Sequence, residues 1–524
     1  MGKFFNIAGP CNPTRHYMLP AMDRLPEVFS LIRNDSYFVV HAQRQCGKTT
    51  AFLSLMREIN RGDEAIAVYC SLEAVQAFHE PEKGIPMIRG LLRAAAERIG
   101  GEFGNAAHDY DYSSVAPEDV VAKSIGALLT FLSTKAGKPL YVFFDEVDCL
   151  SGDTLITFLR QLRDGAVSLT KGVDFPASIA LIGMRNIRDY KVKVRHDSES
   201  LGSASPFNVV AKYLNLRAFT EPELSALYAQ HTAETGQIFT EEAIAKAFEY
   251  SGGQPYLVNA LARWCVEEIH QNRFDEPITG EDMHEAKEKI IRERGTHLDS
   301  LMERMKEERV RLVVEQVMLG GDVDFDIYAD NMEYAVDLGL LKDDNGILRP
   351  ANPMYAEIIG RYISYGKQMQ IRQNVREMPW VKDDGLDMPG LMAAFQEFWR
   401  ENADENAVPF NYREAYPQIV LQAFLQRVIN GGGEIIREMA LGKKAMDLGV
   451  LFRGAKYAVE VKKLAYYEKS HEKAYKQVAG YMDRLGVTEG WLVVFDPDLT
   501  KPWEGKIANE EIVFDNKQIH LVKV

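Results

Sequence analysis

Residues 42–49, Ala-Gln-Arg-Gln-Cys-Gly-Lys-Thr, have the composition and spacing of a phosphate-binding loop. In such a loop, backbone N–H groups surround the phosphates at a helix N-terminus, a lysine neutralises the β- and γ-phosphates, and a hydroxyl holds Mg²⁺. The segment fits the pattern GxxxxGK[ST] except at its first position, where Ala42 replaces glycine. The sequence therefore predicts an ATP-binding loop formed by Ala42, Gln43, Arg44, Gln45, Cys46, Gly47, Lys48, Thr49 and Thr50.

An acidic pair follows the apolar run Leu140–Phe144 and is the expected partner of this loop. Asp145 would hold Mg²⁺ together with Thr49, and Glu146 would orient or deprotonate the attacking water. Arg185 follows the next apolar run, residues 178–183, and could sense the γ-phosphate at that strand end. The alternative for Arg185 is a surface arginine in a loop.

Asp447, Glu460 and Lys462 have the types and spacing of a second, metal-dependent site. Glu460 and Lys462 lie two apart in a predicted strand and therefore share a face. If residues 453 and 454 form a two-residue turn, Asp447 lies opposite Glu460, whereas a slip of one residue would put the two on opposite faces. Two carboxylates suit Mg²⁺ or Mn²⁺, which would activate water while Lys462 orients that water or neutralises an oxyanion.

Further positions are assigned to this second site. Gln477 and Tyr481 lie four apart on the following predicted helix and share one of its faces. Glu414, on the preceding helical segment, is an additional candidate ligand, and Val461 is included as a metal-binding position within the Glu-Val-Lys triplet. The alternative for the whole group is an ordinary amphipathic hairpin with exposed charges.

The elements that must position these residues follow from hydrophobic patterning. Short apolar runs at 37–41, 65–70, 140–144 and 178–183 alternate with helical patterns at 50–59, 86–99 and 118–135, which predicts a parallel sheet covered on both faces. Helical patterns continue to about residue 362, and this part of the chain includes a predicted hairpin near residues 341–348. Beyond them lie predicted strands at 434–440, 445–452 and 456–463, then a helix and a final strand pair.

These patterns predict a multidomain α/β protein. Its predicted domains are a parallel-sheet ATPase core (1–215), a helical segment (216–295), a winged helix (296–366), a linker (367–389) and a C-terminal α/β domain (390–524). The resemblances described below imply that the second is a helical lid and the last is nuclease-like.

Composition narrows the classes of function. The net charge of −15 argues against one large nucleic-acid-binding surface, but residues 411–524 carry 17 Lys and Arg against 15 Asp and Glu, so a phosphate backbone would dock most easily there. Five scattered cysteines suit a reducing compartment and argue against disulfides and a zinc site. No apolar run is long enough to span a bilayer, so we expect a cytoplasmic protein without membrane contact.

The N-terminal part resembles the bacterial AAA-like group of signal-transducing (STAND-type) ATPases. The resemblance rests on residues 6–52, on Gly252-Gly253-Gln254-Pro255, which is similar to a GGxP motif of the helical lid, and on Asn352-Pro353 near the end of a winged helix. It implies that Pro255 lies near the nucleotide base. It also implies a slow ATPase that switches conformation or assembly, with a possible homo-oligomer.

Residues 390–524 resemble the PD-(D/E)XK nuclease superfamily, through Met446-Asp447, Glu460-Val461-Lys462 and the RecB-type pair Gln477 and Tyr481. Met446 stands where the superfamily's name has proline. The resemblance implies an ATP-gated, Mg²⁺-dependent nuclease acting on nucleic acid, more readily DNA, in bacterial defence. One alternative is a non-catalytic signalling or scaffold ATPase whose C-terminal domain only binds nucleic acid or a partner. A helicase-nuclease is less favoured, because no further helicase motifs are recognisable.

Overall fold

The computed structural model describes residues 2–183, 209–293, 296–318, 325–344, 347–360, 362, 380–382, 385–402, 421, 424–425, 433–439, 446–496 and 502–524. The chain divides into two compact units. The first comprises Met1–Leu301, Glu333–Lys342 and Ala351–Met354, and the second comprises Met302–Met332, Asp343–Pro350 and Tyr355–Val524.

The first unit contains a five-stranded parallel sheet. Its strands are β1 (Tyr37–His41), β2 (Ile66–Ser71), β3 (Leu140–Asp145), β4 (Ser178–Gly183) and β5 (Val210–Asn215), in the order β2-β3-β4-β1-β5. The first four strands agree with the predicted apolar runs, whereas β5 was not predicted because its alternating Val-Ala-Lys-Tyr-Leu-Asn sequence forms an edge strand. Parallel pairing brings the carboxyl ends of β1 and β3 to one edge of the sheet.

Helices cover both faces of this sheet, as continuous apolar strands require. They are α1 (Glu27–Arg33), α2 (Lys48–Arg61), α3 (Pro81–Glu97), α4 (Gly101–His108), α5 (Val120–Ala136) and α6 (Gly152–Leu169). Adjacent residues of β3 show the alternation, because Phe144 packs in one core with Leu92 and Leu128 while Phe143 packs in the other with Phe52.

Helix α3 begins at Pro81, five residues before the predicted start at Pro86. Proline favours the first helical turn, so Pro86 was the natural candidate for the start. Pro81 takes that first position instead, and Pro86 lies inside the helix, where its ring nitrogen cannot donate to the preceding turn.

A helical segment follows the sheet, with α7 (Glu221–Thr235), α8 (Glu241–Ser251), α9 (Pro255–Arg263), a π-helical turn (Trp264–Ile269) and α10 (Gly280–Glu293). Thr220 and Glu223 form a reciprocal capping box at the start of α7. Gln254 caps α9 by accepting a hydrogen bond from Leu257 N. The chain then contains α11 (Thr296–Arg304), α12 (Glu308–Met318), α13 (Phe325–Asp337) and the paired strands β6 (Leu341–Asp344) and β7 (Ile347–Pro350).

The second unit contains a separate, mixed six-stranded sheet. Its strands are β10 (Gly433–Met439), β11 (Met446–Phe452), β12 (Ala455–Lys463), β13 (Glu489–Phe495), β14 (Ala508–Phe514) and β15 (Lys517–Lys523), in the order β10-β11-β12-β13-β15-β14. A small pair, β8 (Val381–Lys382) and β9 (Gly385–Leu386), precedes it together with helix α14 (Met388–Asn402). Between β12 and β13 lie α15 (Leu464–Lys469) and α16 (His471–Leu485).

The end of this unit differs from the predicted helix and strand pair. Among the described residues, two helices and three strands follow β12, because the buried run Glu489–Phe495 pairs in parallel with β12 and β15 and is not part of the terminal hairpin. Val459 and Val461 face the core formed with α14, whereas Ala458 faces the core formed with α16. Side chains at even positions of β12 therefore lie on the α16 face.

In the part of the chain that the structure describes, no helix combines the length and the apolar character needed to cross a membrane. The domain boundaries, the helical lid and the winged helix stay predictions.

Candidate nucleotide site and candidate metal centre

The loop between β1 and α2 adopts a backbone that its sequence explains. Gln45 and Gly47 both have positive φ, 56° and 96°, which turn the chain into the first residue of α2, Lys48. A Cβ atom at Gly47 would lie 2.9 Å from Arg24 Nη2, so glycine is needed both for its conformation and for the close approach. Ala42 is buried and has no positive φ, and therefore the departure from glycine at this position is accommodated.

Lys48 is folded back over the loop that precedes it. Its Nζ donates hydrogen bonds to Ala42 O at 2.6 Å and Gln43 O at 2.9 Å, and only 7% of the residue is exposed. An ammonium group held by two carbonyl oxygens at the mouth of the loop can exchange those partners for phosphate oxygens.

Thr49 and Asp145 meet where the carboxyl ends of the strands converge. Thr49 Oγ1 donates to Asp145 Oδ2 at 2.7 Å, and the Tyr69 hydroxyl donates to the same oxygen. Asp145 Oδ1 accepts from Glu146 N at 2.9 Å. A buried carboxylate bonded to a hydroxyl beside a phosphate loop is a donor set that fits Mg²⁺. Tyr69 was not among the predicted site residues, because its position within β2 gives no chemical signal.

Glu146 follows directly and is held in a left-handed conformation, with φ of 57°. Burial raises its pKa to about 7, and the neighbouring Asp148 and Asp145 add to that shift, whereas Lys48 and Arg44 oppose it. A carboxyl group with a pKa near neutrality can accept and release a proton at physiological pH.

The remaining residues that were predicted to bind nucleotide contact other parts of the chain. Thr50 Oγ1 accepts a hydrogen bond from Cys11 N at 3.0 Å, so the segment before β1 lies against the start of α2. Pro255 is the first residue of α9, and its neighbour Gln254 donates from Nε2 to Arg44 O at 3.4 Å. The Gly-Gly-Gln-Pro segment therefore contacts the phosphate loop. Arg185 lies outside the described residues.

The loop also contacts residues that were not predicted to belong to the site. Arg44 Nη1 donates to Ser300 Oγ at 2.7 Å, and His41 Nε2 lies 3.6 Å from Asp337 Oδ1. Burial lowers the pKa of His41, and Lys48 lowers it further. Segments more than 250 residues away in sequence thus reach the end of β1 and the loop.

The second candidate site depends on the register between β11 and β12. Arg453 and Gly454 have φ of 50° and 85°, as a two-residue type I′ turn requires. The pairs Phe452↔Ala455 through Leu448↔Val459 agree with the predicted register, and the pairing ends there, one step short of Asp447 and Glu460.

Glu460 is 1% exposed, and its Oε1 lies 2.5 Å from Lys462 Nζ. Neither of its carboxylate oxygens accepts a hydrogen bond from the residues that the structure describes. A buried carboxylate without hydrogen-bond donors is costly unless a cation joins it. Lys462 supplies a cation at Oε1, and Oε2 has no hydrogen-bond donor among the described residues.

The remaining predicted residues of this site differ in how far the structure describes them. Gln477 lies one turn before Tyr481 on α16, and Tyr481 is buried against the sheet on the Glu460 face. The Val461 side chain packs in the opposite core, which leaves only its backbone for a metal. Asp447 is placed by its backbone in β11, and Glu414 lies outside the described residues. Among side chains that the structure describes, no group of three or more His, Cys, Asp or Glu could hold a metal.

Comparisons with known proteins give the following. No protein-family model matches the chain, and no curated protein is significantly similar to it in sequence. A Walker-type ATPase of Pyrococcus abyssi is similar in structure, with 14% identity and a TM-score of 0.49 over 68% of this chain and 99% of that chain. Cdc6p of Pyrobaculum aerophilum has 12% identity and a TM-score of 0.36 over 68% and 94% of the two chains. The RuvB Holliday junction branch migration motor of Thermotoga maritima has 12% identity and a TM-score of 0.32 over 64% and 92%.

The parallel sheet, the loop between β1 and α2, and the acidic pair at the end of β3 form a P-loop ATPase-like core, and the C-terminal residues form a separate mixed sheet.

Proposed function

We propose that this chain is an ATP-driven switch that binds and hydrolyses ATP with Mg²⁺ in its first unit and cleaves nucleic acid at a Mg²⁺-dependent or Mn²⁺-dependent centre in its second. The ATPase part of the proposal rests on the hydrogen bond between Thr49 and Asp145. This bond lies beside the phosphate loop, where Gly47 has a left-handed conformation and Lys48 begins the helix. The observation that carries the nuclease half is the buried carboxylate of Glu460 beside Lys462.

In the ATPase step each residue has a task set by its position. Lys48 leaves the carbonyls of Ala42 and Gln43 for phosphate oxygens, and Thr49 with Asp145 would hold Mg²⁺, which would neutralise phosphate charge. Glu146, with its pKa near 7, accepts the proton of the attacking water. Arg185 is proposed as the sensor of the γ-phosphate, and Pro255 as a neighbour of the base.

The switch follows from the contacts made at the loop. Because Arg44 bonds Ser300 and His41 lies beside Asp337, a change of phosphate state at the loop changes the partners of residues far along the chain. A ligand shifts a conformational equilibrium by its differential contacts with the two states, and these contacts supply such a difference. We infer that this equilibrium also sets assembly into a homo-oligomer.

At the second centre Asp447 and Glu460 would hold the metal, with Glu414 and the backbone of Val461 as further candidate ligands. Lys462, 2.5 Å from Glu460, would orient water or neutralise the oxyanion that forms at the phosphorus. Gln477 would position the phosphodiester from α16. DNA is the proposed substrate, and defence against phage or mobile DNA in the cytoplasm is the proposed role.

The test is cleavage of plasmid and linear DNA by the full chain with Mg²⁺ or Mn²⁺, with and without ATP. We expect Lys462→Ala to abolish cleavage and Lys48→Ala to remove its dependence on ATP. Lys456→Ala is the matched control, because Lys456 is an exposed lysine on the same strand and the same face.

A second candidate, a scaffold ATPase whose C-terminal sheet only binds nucleic acid or a partner, predicts a different result. Wild type would then show only background cleavage under every condition, and Lys462→Ala would show the same. Both proteins would still bind nucleic acid. Equal cleavage by wild type and Lys462→Ala would overturn the nuclease proposal.

A further inference from the structure

Arg24 is a buried cation that lies beside the phosphate loop. It ends the 3₁₀ turn Ala21–Arg24 that precedes α1, and only 6% of the residue is exposed. Its Nη2 donates to Cys46 O at 2.9 Å, and its Nη1 donates to Arg217 O at 3.0 Å. The guanidinium carbon lies 4.8 Å from the centre of the Phe219 ring. One side chain therefore contacts both the phosphate loop and the segment that follows β5.

Stability alone does not account for a charge at this position. The nearby carboxylate of Glu223 accepts two hydrogen bonds from Arg217, at 2.6 and 2.7 Å. Arg24 Nε has no acceptor among the described residues. Burial lowers the pKa of Arg24, because removing a charge from water is unfavourable. A buried cation that bonds carbonyl oxygens, while another arginine engages the nearby carboxylate, suits a position close to a bound anion.

The hydrogen bond to Cys46 O sets the direction of the N–H group that follows it. The peptide unit between Cys46 and Gly47 is planar and trans, so its carbonyl and its N–H point in opposite directions. Gly47 immediately precedes α2, and N–H groups at a helix N-terminus have no acceptor within the helix. With the carbonyl held toward Arg24, Gly47 N–H is directed away from that side chain. Backbone N–H groups of such a loop are the ones that surround phosphate oxygens.

We propose that Arg24 is a positioning residue for ATP, which holds the Cys46 carbonyl away from the phosphates and aims Gly47 N–H at a phosphate oxygen that ATP and ADP share. This inference rests on the proposed binding of ATP in the first unit and adds a residue outside the loop motif. Arg24 lies 22 positions before Cys46 and reaches the loop through the fold.

The experiment compares wild type with Arg24→Gln, Arg24→Lys and the control Arg33→Gln, each as the full chain. Arg33 is an exposed arginine at the end of α1. Steady-state hydrolysis of Mg·ATP gives kcat and KM, and calorimetric titration with Mg·ADP gives Kd. The melting temperature without nucleotide shows whether each variant is folded.

We expect Arg24→Gln to raise the KM for ATP and the Kd for ADP by the same factor, about tenfold, the value of one hydrogen bond to a charged group. The kcat should change by less than about twofold, because a contact made equally in the ground state and the transition state affects KM alone. Arg24→Lys should give a smaller rise, since lysine can still donate to Cys46 O. Arg33→Gln should behave as wild type.

Wild-type values of KM and Kd in Arg24→Gln would overturn the role of Arg24 and leave the binding of ATP intact. A lower kcat with an unchanged KM would also overturn it, because displaced catalytic groups would then explain the loss. If Arg24→Gln does not fold, Arg24→Lys decides, and wild-type values in that variant overturn the proposal. A wild type that neither binds ADP nor hydrolyses ATP would overturn the ATP site itself, and the role of Arg24 with it.

Discussion

The pKa of Glu146 predicts a pH dependence of ATP hydrolysis that an ordinary carboxyl group would not give. Burial, with Asp148 and Asp145, raises this pKa from 4.5 to about 7. The group acts as a base only when ionised, and with a pKa of about 7 it is about one-eleventh ionised at pH 6 and about ten-elevenths ionised at pH 8. We therefore expect kcat/KM to rise about tenfold between these pH values.

The assay is steady-state hydrolysis of Mg·ATP from pH 5.5 to 9 at constant ionic strength. The quantity to follow is kcat/KM, because it reports groups of the free enzyme. Asp148→Asn should move the rise to lower pH, since it removes a charge that raises the pKa of Glu146. Glu146→Gln should lower the rate by about 10²–10⁴-fold and remove the rise.

The affinity of a fluorescent ATP analogue, measured over the same pH range, is the control for changes in binding. A kcat/KM that is flat from pH 6 to 8 would refute the role of Glu146 as a base with a raised pKa. So would a displacement of the rise to higher pH in Asp148→Asn, because the electrostatic origin of the shift allows only the opposite direction.

Three further outcomes are expected. Lys48→Ala should weaken ATP binding by about 10- to 100-fold in calorimetric titration, the value of a charge-assisted hydrogen bond, and unchanged affinity would contradict its proposed contact with phosphate. Gly253→Ala should lower the free energy of unfolding by about 3 kcal/mol, because its φ is 74° and a Cβ would lie 2.0 Å from Phe219 O. The control Gly236→Ala, with φ of 82° and open space, should cost about 1 kcal/mol, and equal losses would refute the clash. Millimolar Mn²⁺ should raise the melting temperature of wild type but not of Asp447→Asn, and an equal rise in both would place the ion elsewhere.

Sequence predicted those features that local chemistry determines. The phosphate loop was recognisable because strand, loop and helix are adjacent in the chain, and the structure begins α2 at Lys48 as the motif requires. The register of β11 and β12 was predictable because a two-residue turn at Arg453 and Gly454 leaves one pairing for the strands that it joins.

Contacts between segments that are far apart in the sequence could not be predicted in this way. Tyr69 bonds Asp145 because β2 lies beside β3, a neighbour relation fixed by the order of the sheet. Asp337 reaches His41 across 296 positions of sequence, and no local pattern encodes that proximity.

Asp145 and Glu460, the central carboxylates of the two sites, differ in the hydrogen bonds that they accept. We therefore expect them to respond differently to the removal of metal. Asp145 already accepts hydrogen bonds from Thr49, Tyr69 and Glu146 N, so its burial is compensated without a cation. Glu460 has Lys462 beside it but accepts no hydrogen bond from a described residue, so its burial is compensated only in part. Removal of divalent metal should therefore destabilise the sheet that contains Glu460 and leave the parallel sheet that contains Asp145 nearly unchanged. A chelator titration followed by hydrogen exchange distinguishes the two, because protection lost equally from both sheets would contradict this argument.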